Sequence, residues 1–460
     1  MQYLKPQTEL GGSEITPGHI AARIERLPTS SWHIKARVLV GTATFFDAFD
    51  ALAIAQALPV LVPLWGLSAP ESGFLISISY VGQVLGALVF GWMAERYGRL
   101  RALALATFIF STMSLACGLA NTYQHLLFFR AIQGFGLGGE VPIAAAYISE
   151  IARAEGRGKF VLVYENIFAF GLVVAGFAGS LIVPTLGWRY MFFIGAVPIV
   201  IAPLILKLLP ESPRWLAGRG RLREAEAAVI EIENAIETRS GKPLAPVPAA
   251  LPTETQRSSW QDIVGRNALG RTVAVWTLWF TGYLVYYGLG TWLPTLYRTV
   301  FNMSVADSLH YGMYAQLAVF FGSLTCAFVI DWTGRRLLFI LALLGEGLSL
   351  LLLWLLGADS FTTVLVLTTI AIFFAGAAGI SAYLYTPEVY PTRSRALATA
   401  LGSAWLRVAS VIGPAIVGML VGHGTSTVLF IFGVIPVVAA VIVATFAIET
   451  AGRTLEEINT

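Results

Sequence analysis

The chain has 460 residues, of which 56% are hydrophobic and only 12% are charged. Soluble globular domains carry about 25% charged residues, so this composition excludes that class and indicates a protein that crosses a lipid bilayer several times. The small net charge of +3 gives no indication of a nucleic-acid partner.

Apolar stretches long enough to cross a bilayer as a helix, which takes about 20 residues, recur along the chain. They cover residues 38–60, 73–94, 100–120, 125–149, 160–182, 189–209, 268–294, 310–330, 336–356, 362–386, 396–421 and 426–448. A helix satisfies its main-chain hydrogen bonds internally, as lipid requires. We therefore predict an all-α membrane protein with twelve transmembrane helices.

A polar segment after the sixth span divides the chain. We predict a cytoplasmic N-terminal segment (1–37), an N-terminal six-helix bundle (38–209), a cytoplasmic linker (210–267), a C-terminal six-helix bundle (268–449) and a cytoplasmic tail (450–460). Residues 221–237 of the linker have helical periodicity and indicate a surface helix. The proline-rich residues that follow indicate extended chain.

Lysine and arginine are distributed unequally between the two ends of the spans. With a cytoplasmic N-terminus, Arg189 and Arg298 are the arginines expected at the outer face, in agreement with the positive-inside rule. No apolar segment with a small-residue cleavage site precedes the first span, so we expect no cleavable signal peptide. We expect a multi-pass plasma-membrane protein, in the inner membrane of a bacterium, with both termini in the cytoplasm.

Acidic and basic residues recur at matching turns in the two halves. Glu95, Gly98 and Arg99 recur as Asp331, Gly334 and Arg335, and Glu150 and Arg157 recur as Glu388 and Arg395. This spacing predicts a duplicated six-helix unit, and parallel repeats with a site at their interface are a known transporter plan. We expect the eight charged residues to form gating bonds that tie helix ends together in the outward-open state and release as the halves rock. The alternative is that they only set the topology.

Several runs of residues resemble signatures of the major facilitator superfamily, over essentially the whole chain. They are GWMAERYGRLR from Gly91, RAIQGFGLGGE from Arg130, PIAAAYISEIA from Pro142, PESPRWL from Pro210, YTPEVYPTRSRA from Tyr385 and ETAGRTLEEI from Glu449. The first has Glu95 where Asp is usual, and the others resemble sugar-porter loops. The resemblance implies two six-helix bundles related by a pseudo-twofold repeat.

The spans depart from sugar porters where a substrate would bind. Sugar porters carry a glutamine-rich seventh helix, whereas here that helix reads WFTGYLVYYGLGTWLP. The DAFD run of the first span resembles the DGxD pattern of aromatic-acid/proton symporters, with Ala48 in place of Gly. The LGGEVPIA run resembles niacin-type carriers and synaptic-vesicle relatives. These resemblances imply an organic acid as the substrate.

Asp47 and Asp50 lie near the middle of the first span, where ionisable side chains mark ion or substrate pathways. Their i, i+3 spacing places both on one helix face, so one aqueous cavity is expected to serve both. Because neighbouring carboxylates resist simultaneous ionisation, at least one is predicted to bind a proton near neutral pH. The family motif implies that Arg130 gates these acids or tunes their pKa, with a structural ion pair as the alternative, and Glu140 is the alternative proton site. The competing interpretation is structural pairing of the aspartates with Arg130 or Arg407.

Arg407, near the middle of the eleventh span, is the first candidate for binding a substrate carboxylate, because a guanidinium binds carboxylates bidentately. The alternative is a salt bridge to Asp47, Asp50 or Glu346 that makes its burial tolerable. Further side chains are expected to line the same cavity, and these are Phe49, Gln83, Tyr283, Tyr286, Tyr287, Tyr383 and Trp405. Aromatic residues in membrane helices also serve as packing or interface anchors.

An enzyme is not expected, because the histidines lie at or beyond the span ends and no metal-ligand spacing occurs. Neither a metal nor another cofactor is predicted. The sequence favours a secondary active transporter, expected to be monomeric, that takes up a small organic anion, an aromatic or heterocyclic carboxylate, together with a proton. The alternatives are a proton symporter of sugars or other metabolites and, in another class, a non-transporting membrane sensor.

Overall fold

A computed structural model of the chain describes residues 15–153, 157–248, 260–266, 268–391 and 394–451. The first half has helices α1 (Pro17–Glu25), α2 (Ser31–Trp65), α3 (Ala69–Tyr97), α4 (Arg99–Gly118), α5 (Tyr123–Ile151), α6 (Arg157–Thr185), α7 (Arg189–Gly195) and α8 (Ile201–Leu208). The linker has α9 (Pro213–Gly218), α10 (Leu222–Ser240) and α11 (Gln261–Val264). The second half has α12 (Leu269–Val285), α13 (Thr291–Val300), α14 (Val305–Thr333), α15 (Arg335–Leu356), α16 (Phe361–Val389), α17 (Arg395–Leu420) and α18 (Thr425–Phe446).

Ten membrane-crossing candidates among the described helices are long and apolar enough to span a bilayer, with α7 and α8 joined into one of them. The other two predicted spans are α5, where buried Arg130, Gln133 and Glu140 lower the apolar character, and the pair α12 and α13. A π-helical segment, Tyr286–Gly290, interrupts that pair. The described chain is therefore helical throughout its spans, and the predicted fold is confirmed.

The duplication extends to the ends of the helices. Ser68 and Glu71 form a capping box at the start of α3, and Ser304 caps α14 by accepting a hydrogen bond from Asp307 N. Gly98 after α3 and Gly334 after α14 both have positive φ, +120° and +78°, a backbone conformation that glycine adopts without strain. These matched caps and turns place equivalent helices in both halves.

The helices of the linker pack on the first half. Arg23 and Arg26 of α1 both bond Glu233 of α10, at 2.5 and 2.7 Å, and Arg214 of α9 bonds Glu25 of α1 at 2.7 Å. Burial opposes ionisation of Glu233, but the two arginines outweigh it and lower its pKa. We call the end of the bundle that carries α1, α9 and α10 the linker side, and the opposite end the far side.

The proline-rich segment predicted to be extended runs past the end of α10. Residues 241–248 contain no helix, whereas 249–259 lie outside the described residues. The N-terminal residues 1–14 and residues 452–460 of the predicted tail also lie outside them.

The two halves meet closely on the far side. The α3 helix packs against α17, and α6 packs against α14. A Cβ atom on Gly73 of α3 would lie 2.7 Å from Pro414 O and 3.1 Å from Gly418 Cα of α17, so these helices touch main chain to main chain. Ser77 of α3 also donates a hydrogen bond to Val411 O at 2.8 Å. The far side is therefore closed.

The linker side is organised differently. One large apolar core combines residues of both halves, including Leu61, Leu75 and Val417. A second core, around Trp32, Tyr147 and Tyr164, contains no described residue of the second half. The halves thus share their packing on the far side, while the first half has a core of its own on the linker side.

Candidate functional site

Asp47 and Glu140 form a buried carboxyl pair between α2 and α5. Asp47 is 3% exposed and Glu140 is fully buried, and their side chains are hydrogen-bonded to each other. Two ionised carboxylates repel, so a proton on either side chain favours this contact. Thr44, one turn before Asp47, donates to Glu140 Oε1 at 2.8 Å and is also hydrogen-bonded to Tyr164 of α6.

Asp50 has a separate environment between α2, α4 and α7. Its Oδ1 accepts a hydrogen bond from Ser114 Oγ at 2.8 Å, and Gln133 of α5 lies close to the same carboxyl group. A Cβ on Gly195 would lie 2.0 Å from Oδ1, so this glycine makes room for the carboxyl group. Asp50 thus contacts α4 and α7 and lies beside Arg130 of α5, while Asp47 contacts Glu140 of α5. The i, i+3 spacing turns the two side chains apart by about 60°, and a single cavity for both acids stays a prediction.

Arg130 of α5 lies beside Asp50 without forming an ion pair with its carboxylate. The guanidinium is fully buried, and its Nη1 donates to Asp50 O at 3.3 Å and to Gln133 Oε1 at 2.7 Å. Among the described residues, Nε and Nη2 have no hydrogen-bond partner. The positive charge of Arg130 acts on the Asp50 carboxyl group through space. Arg130 therefore lies close to the acidic side chains of α2.

Arg407 of α17 crosses the interface between the halves. Its Nη1 donates to Gln83 Oε1 of α3, and Gln83 is 1% exposed. No carboxylate of a described residue lies within the 4.0 Å ion-pair distance of Arg407, although its charge acts on Asp47 through space. Arg407 is thus a half-buried cation whose hydrogen-bond partner is a neutral amide.

An aromatic stack follows α12 toward this interface. The rings of Trp279 and Tyr283 lie 6.2 Å apart, and those of Tyr283 and Tyr287 lie 6.0 Å apart, with interplanar angles of 23° and 24°. Tyr80 of α3 meets Tyr287 edge to face at 5.1 Å. Because Tyr80 belongs to the first half and is one turn from Gln83, the aromatic stack and Arg407 lie at the same interface.

The other predicted cavity residues fall into two groups. Tyr383 packs edge to face on Trp279 at 4.4 Å, and Tyr286 donates to Gln316 Oε1 at 2.8 Å, so both adjoin the stack. Phe49 is buried in the large apolar core, with its ring 6.2 Å from Phe46. Trp405 is 36% exposed and packs on Trp276 and Phe280, away from the face that carries Arg407.

Charged clamps close the turns between α3 and α4 and between α14 and α15. Arg99 bonds Glu95 at 2.7 Å and Glu150 at 3.0 Å, and Glu211 accepts from Arg99 N at 3.0 Å. We call this set the N-terminal clamp. In the C-terminal clamp, Arg335 bonds Glu388 at 3.1 Å, and Glu449 accepts from Arg335 N at 2.9 Å.

Both clamps lie within one half each, and both are formed here while the far side is closed. They therefore join helices of the same bundle instead of tying one half to the other. Arg395 donates to Tyr390 O at 3.1 Å. The side chains of Arg157 and Asp331 lie outside the described part of the chain.

Several residues of these clusters were not anticipated from the sequence. Glu211 and Glu449 are separated by the same offset as Glu150 and Glu388, so the repeat carried a signal for them. Thr44, Ser114 and Tyr164 are single hydroxyl residues in apolar helices, a pattern without a distinguishing signal. In the described part of the chain, no three His, Cys, Asp or Glu side chains are arranged to hold a metal ion.

Comparison with known proteins agrees with this architecture. Residues 33–460 match the family described as sugar (and other) transporter. The niacin transporter NiaP of Acinetobacter baylyi is 33% identical over 450 residues, which cover 96% of this chain and 99% of that protein. The putative niacin/nicotinamide transporter NiaP of Bacillus subtilis is 28% identical, covering 89% of this chain and 94% of that protein.

Solved structures show the same fold. The xylose transporter XylE of E. coli, in a partially occluded inward-open conformation, superposes with a TM-score of 0.70 at 21% identity, covering 92% of this chain and 100% of that one. These findings imply a small-molecule substrate and a membrane environment. The chain is a multi-pass secondary transporter that belongs to the sugar (and other) transporter family of the major facilitator superfamily.

Proposed function

We propose that this protein takes up a small aromatic or heterocyclic carboxylate together with a proton, by alternating access. The observation that carries the proposal is Arg407, a cation at the interface of the halves; among the described residues, its hydrogen-bond partner is the amide of Gln83. A guanidinium in that position is available to an anion, and carboxylate is the group it binds bidentately. The curated relatives named for niacin, a pyridine carboxylate, support this substrate class.

The aromatic stack supports a ring in the substrate. Trp279, Tyr283 and Tyr287 offer faces at regular spacing along α12, and offset or edge-to-face ring contacts contribute about 0.5–1.5 kcal/mol beyond burial. In this proposal Arg407 holds the carboxylate and the stack holds the ring.

The buried carboxyl pair supports proton coupling. Asp47 contacts Glu140 and lies within the field of Arg407, so the charge at Arg407 and the proton on the pair influence each other. When a substrate carboxylate neutralises Arg407, its field on the pair weakens and proton binding to the pair is favoured. Binding of the anion and of the proton are thereby cooperative, as symport requires.

The unequal packing of the halves supports alternating access. The far side is closed by contacts such as Gly73 with Pro414, whereas the core around Tyr164 joins the first half to α10 and contains no described residue of the second half. We assign the linker side to the cytoplasm, because lysine and arginine are concentrated there. The structure then corresponds to a conformer closed toward the outside.

Uptake into proteoliposomes tests the proposal. Purified protein should accumulate labelled nicotinate when the lumen is made alkaline, and much less without a pH gradient. Asp47→Asn should lose gradient-driven accumulation but retain exchange of internal for external nicotinate, because exchange needs no net proton release. Binding without accumulation would favour a sensor, and accumulation of xylose but not of nicotinate, benzoate or nicotinamide would favour a sugar symporter. Uptake that ignores the pH gradient would contradict proton coupling.

A further inference from the structure

A line of hydrogen-bonded groups leads from the buried carboxyl pair toward the linker side. Asp47 contacts Glu140, Glu140 Oε1 accepts from Thr44, and Thr44 is bonded to Tyr164. Thr44, Glu140 and Tyr164 are fully buried. The four side chains come from α2, α5 and α6, so tertiary packing has brought them together.

The direction of this line is set by the helices. The α2 helix starts on the linker side, and Thr44 is one turn closer to its start than Asp47. The α6 helix also starts on the linker side, at Arg157, and Tyr164 lies about 10 Å along it at 1.5 Å per residue. Tyr164 belongs to the apolar core on that side that the first half forms with linker helix α10. The line therefore points away from the closed far side.

We propose that the hydroxyl groups of Thr44 and Tyr164 carry protons between the Asp47–Glu140 pair and the linker side. This inference rests on the proposed function, since it assigns the route by which the coupled proton leaves. A hydroxyl both accepts and donates one hydrogen bond, so each can take a proton from one neighbour and pass its own to the next. No bond other than O–H bonds forms or breaks.

The hydrogens of the line fix which way it is ready to conduct. Thr44 has one hydroxyl hydrogen and donates it to Glu140, so Tyr164 must be the donor to Thr44. In this arrangement the line is set to carry a proton toward the pair. For release, both hydroxyl hydrogens first rotate; Glu140 then gives its proton to Thr44, Thr44 gives its own to Tyr164, and Tyr164 gives its own to water on the linker side. The hydroxyl hydrogens then point toward the pair again.

The neighbouring charges are consistent with a proton on the pair and not on the hydroxyls. Asp47 is acted on by Arg407 of α17 and by Glu140 of α5. Asp50, Arg130, Tyr80 and Tyr287 are the other charged or titratable groups that act on the acids of α2. The hydroxyl groups of threonine and tyrosine are far weaker acids than carboxyl groups. They therefore pass the proton on without storing it.

Conservative variants separate a relay from a purely structural role. Tyr164→Phe and Thr44→Val remove one hydroxyl each and keep the size of the side chain, while Thr44→Ser keeps the hydroxyl. A matched control is Tyr297→Phe, since Tyr297 and Thr368 form a buried tyrosine–threonine pair at 3.3 Å in the second half. If Tyr164→Phe does not fold, the pair Thr44→Val and Thr44→Ser tests the same link.

Gradient-driven net uptake and equilibrium exchange of labelled nicotinate are compared for each variant in proteoliposomes. A positioned proton-transfer group typically contributes about 100-fold or more to a rate. We therefore expect Tyr164→Phe and Thr44→Val to slow net uptake at least ~10-fold and to leave the rate of exchange within about twofold of the wild type. Thr44→Ser and Tyr297→Phe should resemble the wild type. Unchanged net uptake in both hydroxyl-deficient variants, or an equal loss of exchange, would overturn the relay.

A second measurement needs no substrate. The C=O stretching band of the protonated carboxyl pair can be identified in infrared spectra by its loss in Asp47→Asn or Glu140→Gln. After transfer to D₂O this band shifts as the carboxyl proton exchanges. The shift should be several-fold slower in Tyr164→Phe than in the wild type. Equal exchange rates would overturn the relay even if nicotinate is never transported. Conversely, a slowed carboxyl exchange in a protein that does not accumulate any tested acid would leave the relay standing and contradict the proposed function alone.

Discussion

The two halves share a scaffold but differ in what they bring to their interface. The first half contributes buried ionisable groups, Asp47, Asp50, Arg130 and Glu140. The second half contributes the aromatic stack of α12 and a single central cation, Arg407. Caps and clamps, in contrast, match between the halves. The duplication thus preserved the elements that position helices, whereas the central side chains differ; in the proposed function those of the first half bind the proton and those of the second half bind the substrate.

The sharpest way to break this comparison is to remove the charge of the second half. Arg407→Ala should weaken nicotinate binding and uptake about 100-fold, because losing one partner of a desolvated charge pair costs about 2–5 kcal/mol and each 1.4 kcal/mol is a factor of ten. Isothermal titration and proteoliposome uptake measure the loss. Arg298→Ala, in the last turn of α13, is the matched control and should change neither.

Acid and amide forms of the same ring refine that result. Nicotinamide lacks the negative charge, so its binding should fall much less than that of nicotinate in Arg407→Ala. Equal losses for both compounds would assign Arg407 to the structure of the interface and not to the substrate carboxylate.

A smaller effect should follow from shortening the aromatic stack. Tyr283→Leu should weaken nicotinate binding about 3- to 10-fold, since an aromatic pair contributes about 0.5–1.5 kcal/mol beyond its burial, while Tyr283→Phe keeps the ring and should bind nearly as the wild type does. Tyr314→Leu on α14, where the tyrosine is 38% exposed, controls for loss of an aromatic ring elsewhere in the same half. If Tyr283→Phe fails as badly as Tyr283→Leu, the hydroxyl group and not the ring is what the substrate uses.

The smallest expected effect is a difference in how pH changes the stability that each clamp contributes. Burial raises the pKa of Glu211, whereas main-chain N–H groups outweigh partial burial and lower the pKa of Glu449. A raised native pKa adds stability at low pH that is lost as the pH rises through it, and a lowered one adds stability that is lost as the pH falls through it. Glu449 should therefore stabilise the protein at neutral pH, and this contribution should begin to fall below the usual pKa of 4.5 and be lost as the pH falls through the lowered native pKa.

Thermal unfolding in detergent measures this difference. As the pH is lowered from 7 to about 3, the melting temperature of the wild type relative to Glu211→Gln should rise, and relative to Glu449→Gln should fall once the pH is below 4.5, by about 1–3 °C each. Parallel pH profiles for the two variants would show that the clamps are equivalent despite their different burial.

The sequence was most informative where a feature repeats. The turn motifs at Gly98 and Gly334 predicted the duplicated bundle, and the apolar runs predicted the spans, because both depend on local composition and spacing. The separate environments of Asp47 and Asp50 could not be predicted, since the spacing defines a helix face but not which helices pack against it. The interface contact between Arg407 and Gln83 was likewise inaccessible, because it joins residues from different halves.

One placement, however, was within reach of the sequence. Trp405 and Arg407 are two residues apart, which turns their side chains by about 200° on a helix. They therefore point to nearly opposite sides of α17, and the structure accordingly has Trp405 against Trp276 and Phe280 and Arg407 against Gln83. Helical geometry alone argues against assigning both residues to one cavity.

The glycine contacts that close the far side have a consequence for the conformational equilibrium. Gly73 and Gly418 leave no space for a Cβ atom between α3 and α17, so a methyl group there raises the free energy of the closed conformer alone. Each 1.4 kcal/mol of that penalty shifts the ratio of conformers tenfold. Replacing Gly73 or Gly418 with alanine should thus shift the equilibrium toward the far-side-open conformer. It alters none of the groups proposed to bind the proton or the substrate.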